Sequence, residues 1–222
     1  MNWNIPNILT TFRMIAAPAV VMVFLCFARP FADWLALFIF IGASATDWVD
    51  GYLARKWNQQ SAFGTMLDPI ADKAMVILAI FAIVGLYGLT PLITVPAILI
   101  LVREIFISGL REFLGENASK LAVTKIAKWK TTVQMIAISV LFMHGIFKHN
   151  FSILTQGMDE AIIMQITNGL DINFSILSLS YFSVYYSYWI GILLLWLAMI
   201  LTILTGVDYL RKASPYFTGS KT

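Results

Sequence analysis

Three long stretches of this chain carry no ionised side chain: Ala74 to Val102, Thr131 to Phe147 and Ile172 to Val207 contain no Asp, Glu, Lys or Arg. A helix needs about 20 mainly apolar residues to cross the roughly 30 Å hydrocarbon layer of a bilayer. Lipid offers no hydrogen bonds, so a spanning segment must satisfy its backbone internally, as a helix does. Runs of this length point to membrane-spanning helices. Composition agrees: 59% of the 222 residues are hydrophobic and 12% are charged, against about 25% charged in soluble domains. A soluble globular domain and a disordered chain are excluded. The single cysteine, Cys26, excludes an internal disulfide framework.

The pattern predicts an all-α, polytopic membrane protein with six transmembrane helices, at about 7–28, 33–55, 69–87, 91–113, 125–146 and 187–209. The turn Tyr87-Gly88-Leu89-Thr90-Pro91 divides the first long run. Residues 172–186 are interrupted by Ser and Asn and receive no span, because a seventh would break the even count. Arg13 lies inside the first apolar segment rather than ahead of it, unlike a secretory signal. We expect one membrane domain over 1–222, with an interfacial segment at 1–6, a longer outer loop at 148–186 and a short tail at 212–222. Six spans put both termini on one side. Of the 15 Lys and Arg residues, only Arg29 and Lys148 fall on the other. The positive-inside rule then predicts cytoplasmic termini. A basic cytoplasmic face suits anionic lipid or a phosphorylated substrate; nothing suggests nucleic acid.

Four of the 12 acidic residues lie close together: Asp47 and Asp50 in Thr46-Asp47-Trp48-Val49-Asp50-Gly51-Tyr52-Leu53-Ala54-Arg55, and Asp68 and Asp72 in Gly64-Thr65-Met66-Leu67-Asp68-Pro69-Ile70-Ala71-Asp72-Lys73. Acidic groups within spans are expensive and usually functional. The i, i+3 spacing puts Asp47 and Asp50 on one face at the cytoplasmic end of the second span. Asp68 before Pro69 reads as the cap of the third helix, with Asp72 one turn on. A loop at 56–67 folds the two pairs toward each other. Four converging carboxylates repel, and two divalent cations would cancel their formal charge. Oxygen-only ligands favour Mg²⁺ or Mn²⁺ over zinc, and such a pair commonly clamps the oxygens of a phosphoryl displacement. Gly51 and Ala54 leave room for a flat base or ribose, and Arg55 is a natural phosphate fork. Helix capping or pairing with Arg55, Lys56 and Lys73 would explain one such Asp, but it explains four at these spacings poorly.

The pattern D-x2-D-G-x2-A-R-x8-G-x3-D-x3-D, carried by Asp47, Asp50, Gly51, Ala54, Arg55, Gly64, Asp68 and Asp72, resembles the signature of the CDP-alcohol phosphotransferases at every fixed position. Further likeness lies in Asn4-Ile5-Pro6-Asn7 with Thr10 and Arg13, in Arg103-Glu104-Ile105 through Arg111-Glu112, in Lys128-Trp129-Lys130-Thr131-Thr132 and in Ile203-Leu204-Thr205-Gly206. These point to the branch whose acceptor is glycerol 3-phosphate; the segment from about 145 to 186 has no counterpart there. The resemblance implies displacement of CMP from CDP-diacylglycerol by sn-glycerol 3-phosphate. It implies a homodimer in the bacterial inner membrane, with the active site facing the cytoplasm. It further implies that Asp47, Asp50 and Asp68 hold the metals, and that Asp72 contacts a metal or acts as general base. Asp47, Asp50, Gly51, Ala54, Arg55 and Thr65 would line the cytidine diphosphate site.

A dianionic acceptor needs cations beyond Arg55. Glu104, Ser108 and Arg111 lie near one face of the fourth span, and Lys125, Lys128 and Lys130 open the fifth. We expect Arg111, Lys128 and Lys130 to meet the acceptor phosphate, with Arg103 behind them paired to Glu104. Lys120 and Lys125 fit the positive-inside pattern alone. Asn7, Thr10 and Arg13 recur at i+3 on the first span and are expected to line the cavity. Gly42, Ala43, Ser44 and Ala45 suit close helix packing. His144 and His149 read as interfacial, and the aromatic run from Tyr181 to Trp189 as an outer belt. Competing readings are another acceptor (a second lipid, serine or an inositol phosphate) and a cation-coupled transporter. A transporter would spread its acids through the membrane depth or show broken helices.

Overall fold

The structure is a computed structural model, and it describes residues 5–56, 62–115, 125–167 and 176–217. Among these the regular structure is helical. In chain order the helices are α1 Ile5–Cys26, α2 Phe31–Lys56, α3 Ala62–Tyr87, α4 Pro91–Leu114, α5 Lys125–Leu154, α6 Glu160–Thr167 and α7 Ile176–Phe217. Five of them (α1, α3, α4, α5 and α7) contain described stretches long and apolar enough to cross a membrane. The described apolar part of α2 is shorter, Phe31–Thr46.

Three expectations are corrected. First, α3 begins at Ala62 rather than near residue 69, so Asp68 is not a helix cap and Pro69 sits inside the helix. Proline removes one N–H and crowds the carbonyl four residues earlier, a defect that apolar spans tolerate when neighbouring elements re-satisfy the backbone. The connection from α2 is correspondingly shorter than the expected 56–67 loop, and residues 57–61 lie outside the described residues. Second, α7 starts at Ile176 and runs 42 residues, about 63 Å at 1.5 Å per residue, instead of spanning 187–209. Its serines do not interrupt it, because Ser183 and Ser187 donate to the carbonyls of Leu179 and Val184 on their own helix. Third, 148–186 is not simply a loop: Lys148 to Leu154 completes α5, α6 follows, and Ile176 to Tyr186 opens α7. Ile5 and Pro6 already belong to α1; residues 1–4 lie outside the described residues.

The chain divides into two compact units, Met1–Ile83 with Ile138–Gly191, and Val84–Ala137 with Ile192–Thr222. In the first, α1 packs along α2. Ala16, Ala17 and Val20 of α1, Ala36, Phe40 and Ala43 of α2, Met75 and Ala79 of α3 and Phe142 of α5 are buried. The Phe142 ring lies 5.9 Å from that of Phe24 and 6.0 Å from that of Phe40. Of the small-residue run expected to pack closely, Ala43 is buried but Gly42 faces outward. In the second unit, Ile107, Leu110 and Leu114 of α4 pack with Tyr209 and Ala213 of α7. Trp196 of α7 donates its indole N–H to the Leu92 carbonyl of α4 at 2.9 Å. Large side chains such as Ile15, Phe38, Phe81, Val102 and Leu193 point outward, an exterior that suits lipid and not water. Between α3 and α4 the chain turns at Gly88, whose φ of 78° a side chain would oppose. Pro91 then opens α4, where its missing N–H costs nothing.

Asp33, fully buried near the start of α2, accepts two bonds from the Arg29 guanidinium, at 2.7 and 2.8 Å. Gly145 of α5 passes against this pair so closely that a Cβ there would collide with both side chains. We therefore expect Gly145→Ala to destabilise the protein by about 1–3 kcal/mol through overpacking. Gly42→Ala, with nothing near its added carbon, should be neutral or mildly stabilising. Thermal unfolding in detergent, followed by size-exclusion recovery, checks both.

Candidate functional site

Asp47, Asp50, Gly51, Ala54 and Arg55 fall on the last turns of α2, but their side chains lie outside the described residues. Asp68 and Asp72 occupy successive turns of α3 and so share one face. That face meets α1. Thr10 donates to Asp68 Oδ1 at 2.5 Å, and one turn later Arg13 Nη1 donates to Asp72 Oδ1 in a short ion pair. The register runs 10 to 68 and 13 to 72, so the two helices run in the same direction here. Asn7, Thr10 and Arg13 are all buried, which makes the polar stripe of α1 an internal surface rather than an anchor to the membrane edge.

The asymmetry of the ion pair matters. Arg13 is 1% exposed, whereas the Asp72 side chain is 45% exposed. The guanidinium is thus buried behind the carboxylate, which retains a wide open side. Asp68 is partly open and Thr65 exposed. Two carboxylates one turn apart and open to solvent form an all-oxygen donor set of the type hard divalent cations take. By chemistry this pair fits such an ion, and no third carboxylate, His or Cys joins it among the described residues.

In the second unit a different polar group is enclosed. Glu104 of α4 accepts from Arg103 Nη1 at 3.2 Å and from Lys130 Nζ of α5 in a short contact. Both ion pairs are largely buried, with side-chain exposures of 17% for Arg103, 6% for Lys130 and 13% for Glu104. Arg103 also reaches Thr205 Oγ1 at 3.3 Å, and its aliphatic stem lies against Gly206 of α7, where a Cβ would crowd it. Arg111 is exposed, with its guanidinium carbon 5.4 Å from the Tyr209 ring centre. Ser108 donates back to the Glu104 carbonyl at 2.6 Å, which leaves it a local helix role. The side chain of Lys128 lies outside the described residues. The sequence suggested the pairing of Arg103 with Glu104; it did not suggest that Glu104 holds Lys130 as well. Nor did it suggest the contacts of Thr10 and Arg13 with Asp68 and Asp72. Their i+3 recurrence on an otherwise apolar helix was the available signal.

His144, expected at the interface, is buried between α5 and α7, with Nδ1 3.1 Å from the Val184 carbonyl and from Ser187 Oγ. Its ring also contacts Tyr188, centroid to centroid at 5.4 Å. The rings of Tyr181, Phe182, Tyr185, Tyr186, Tyr188 and Trp189 touch in series along α7.

A family model for CDP-alcohol phosphatidyltransferase matches residues 3–204. The CDP-diacylglycerol–glycerol-3-phosphate 3-phosphatidyltransferase of Cereibacter sphaeroides is 52% identical over 222 residues, covering all of both chains. Proteins of the same name from Haemophilus influenzae and Escherichia coli K12 are 49% and 46% identical, each over 64% of this chain and 76% or 78% of their own.

Removing one member of a buried charge group strands its partners. We expect Glu104→Ala to destabilise the protein by about 3 kcal/mol, whereas Ser108→Ala should change stability by no more than about 1 kcal/mol. Comparing their midpoints of thermal unfolding in nanodiscs checks this.

Proposed function

Because the chain belongs to the CDP-alcohol phosphatidyltransferase family, we propose that it transfers the phosphatidyl group of CDP-diacylglycerol to sn-glycerol 3-phosphate, forming phosphatidylglycerophosphate and CMP. Full-length identity to a relative bearing that enzyme name is the observation that carries this reading. It is a transferase of phospholipid biosynthesis, and its apolar helices make it a membrane protein. In this reading α2 also crosses, giving six spans and one membrane domain with both termini cytoplasmic. The enzyme works as a homodimer in the bacterial inner membrane. The distribution of Lys and Arg supports that orientation.

Asp47, Asp50 and Asp68 would hold two divalent cations, Mg²⁺ or Mn²⁺, whose chemistry would be to neutralise the charge of the donor's pyrophosphate. Gly51, Ala54, Arg55 and Thr65 line the cytidine diphosphate site. Asp72 accepts the proton of the acceptor's primary hydroxyl. The hydroxyl oxygen forms its bond to the phosphorus that carries the diacylglycerol, the bond from that phosphorus to the bridging oxygen breaks, and CMP leaves with the electron pair. The open side of Asp72 supports the role of base, since a base needs hydrogen-bond access to its proton. Positioning and charge neutralisation supply most of the rate.

Arg111, Lys128 and Lys130 receive the acceptor's phosphate, with Arg103 behind them. One carboxylate, Glu104, sits between two cations, Arg103 and Lys130. The trio therefore keeps a surplus positive charge, which favours an anion nearby. Arg111 adds an exposed fork suited to phosphate. A lipid or serine acceptor has less need of this set.

CMP release by purified protein with CDP-diacylglycerol and Mg²⁺ tests the assignment. Glycerol 3-phosphate should support release, EDTA should abolish it, and serine, inositol phosphate and phosphatidylglycerol should not substitute. Asp72→Asn should abolish turnover while leaving donor binding largely intact. Arg111→Ala should raise the KM for glycerol 3-phosphate about tenfold, the loss of roughly 1.4 kcal/mol expected for one charge-assisted contact. An unchanged KM would return Arg111 to topology.

A further inference from the structure

Arg13 is the largest fully buried side chain described, and it ends on a residue given a chemical role above. Burying a guanidinium is costly unless it is paired, so its place on an apolar helix calls for a reason. Packing alone is a poor one, since Leu or Met would fill such a position without the desolvation cost. A direct substrate contact is also a poor reason, because at 1% exposure the guanidinium does not reach the open side of the site. Among the described contacts, Arg13 donates to one oxygen of Asp72.

We infer that Arg13 is a positioning residue for Asp72: from α1 it holds one carboxylate oxygen, so that the exposed part of the group is presented to the acceptor hydroxyl in a single orientation. This rests on the reading of Asp72 as the proton acceptor. An aspartate on a helix turns about two side-chain bonds, and a held oxygen restricts both. A proton acceptor must lie within hydrogen-bond reach of the proton it takes, and misplacement by about 1 Å can cost a hundredfold. Thr10 supplies a comparison built into the same helix. It grips Asp68 in the same way one turn earlier, yet Asp68 is assigned to the metals and donor. The two residues share a helix, a face and burial, and differ in which carboxylate of α3 they contact.

The test uses full-length protein in nanodiscs, with kcat and both KM values normalised to folded protein by size exclusion. A second readout is the thermal stabilisation given by CDP-diacylglycerol with Mg²⁺, which needs no turnover. Arg13→Met should lower kcat about a hundredfold, with both KM values within about twofold and the stabilisation by donor retained. Arg13→Lys, which keeps a cation donor in a shorter and less directional form, should recover about tenfold of that loss. Thr10→Val should instead act on the donor side, raising the KM for CDP-diacylglycerol and weakening the thermal stabilisation. A kcat for Arg13→Met within about threefold of wild type overturns the inference. So does loss of stabilisation by donor in that variant, which would put Arg13 in the donor site. Where Arg13→Met does not yield folded protein, Arg13→Lys and Arg13→Gln are compared: a clearly higher kcat for Lys supports the inference, and equal values overturn it. Wild-type protein that releases CMP only with some other acceptor would overturn the assignment of glycerol 3-phosphate. The same comparison of Arg13 variants would then be read with that acceptor.

Discussion

A carboxylate on an apolar helix must find a partner, and the contact of α1 with α3 is where this requirement organises the first unit. Thr10 meets Asp68 and Arg13 meets Asp72, so two turns of one helix are keyed to two turns of another. The match is directional as well as chemical. A slip of one residue along either helix would rotate its polar face by about 100° and bury unpaired charge. The register is therefore set by polar contacts, while the burial of Ala16, Ala17, Val20, Met75 and Ala79 fills the space around them. In a medium where apolar surfaces gain little from meeting one another, such contacts and small residues carry much of the specificity.

The same logic governs the opposite end of α2 and the second unit. Asp33 is enclosed by the Arg29 fork beside Gly145, about 20 Å along α2 from the acidic motif by helix rise. Glu104 is enclosed by Arg103 and Lys130, with Thr205 completing the surroundings of Arg103. Both glycines that flank these groups, Gly145 and Gly206, are spaces for an arginine. Their value lies in a missing Cβ, not in backbone freedom. Among the described residues, Arg13, Asp33 and Glu104 are thus buried or largely buried charges, each held by an oppositely charged partner.

The acidic face of α3 was legible because Asp68 and Asp72 are spaced one helical turn apart. The extent of α3 was not. Asp68-Pro69 has the local form of a helix start, but the helix extends back through Leu67, Met66 and Phe63 to Ala62, with the proline accommodated inside it. The long α7 was missed for a related reason. Serines inside an apolar stretch look like interruptions, yet their hydroxyls return to carbonyls on their own helix and leave the ladder intact. His144 shows the reverse case, a polar residue that seemed peripheral and is buried by partners 40 and 43 residues away.

Read alone, the sequence was sufficient for the medium, the helical class, the acidic face of α3 and the presence of a polar stripe on α1, because each depends on local periodicity and on the cost of charge in lipid. It could not decide who partners whom. Arg13 might have met lipid headgroups, and Lys130 might have stood without an acidic partner; burial of one behind Asp72 and of the other against Glu104 depends on contacts between residues 59 and 26 positions apart. Such pairings are settled only when helices pack, since a buried charge selects among the available partners by distance and desolvation, and neither is encoded in the spacing along the chain.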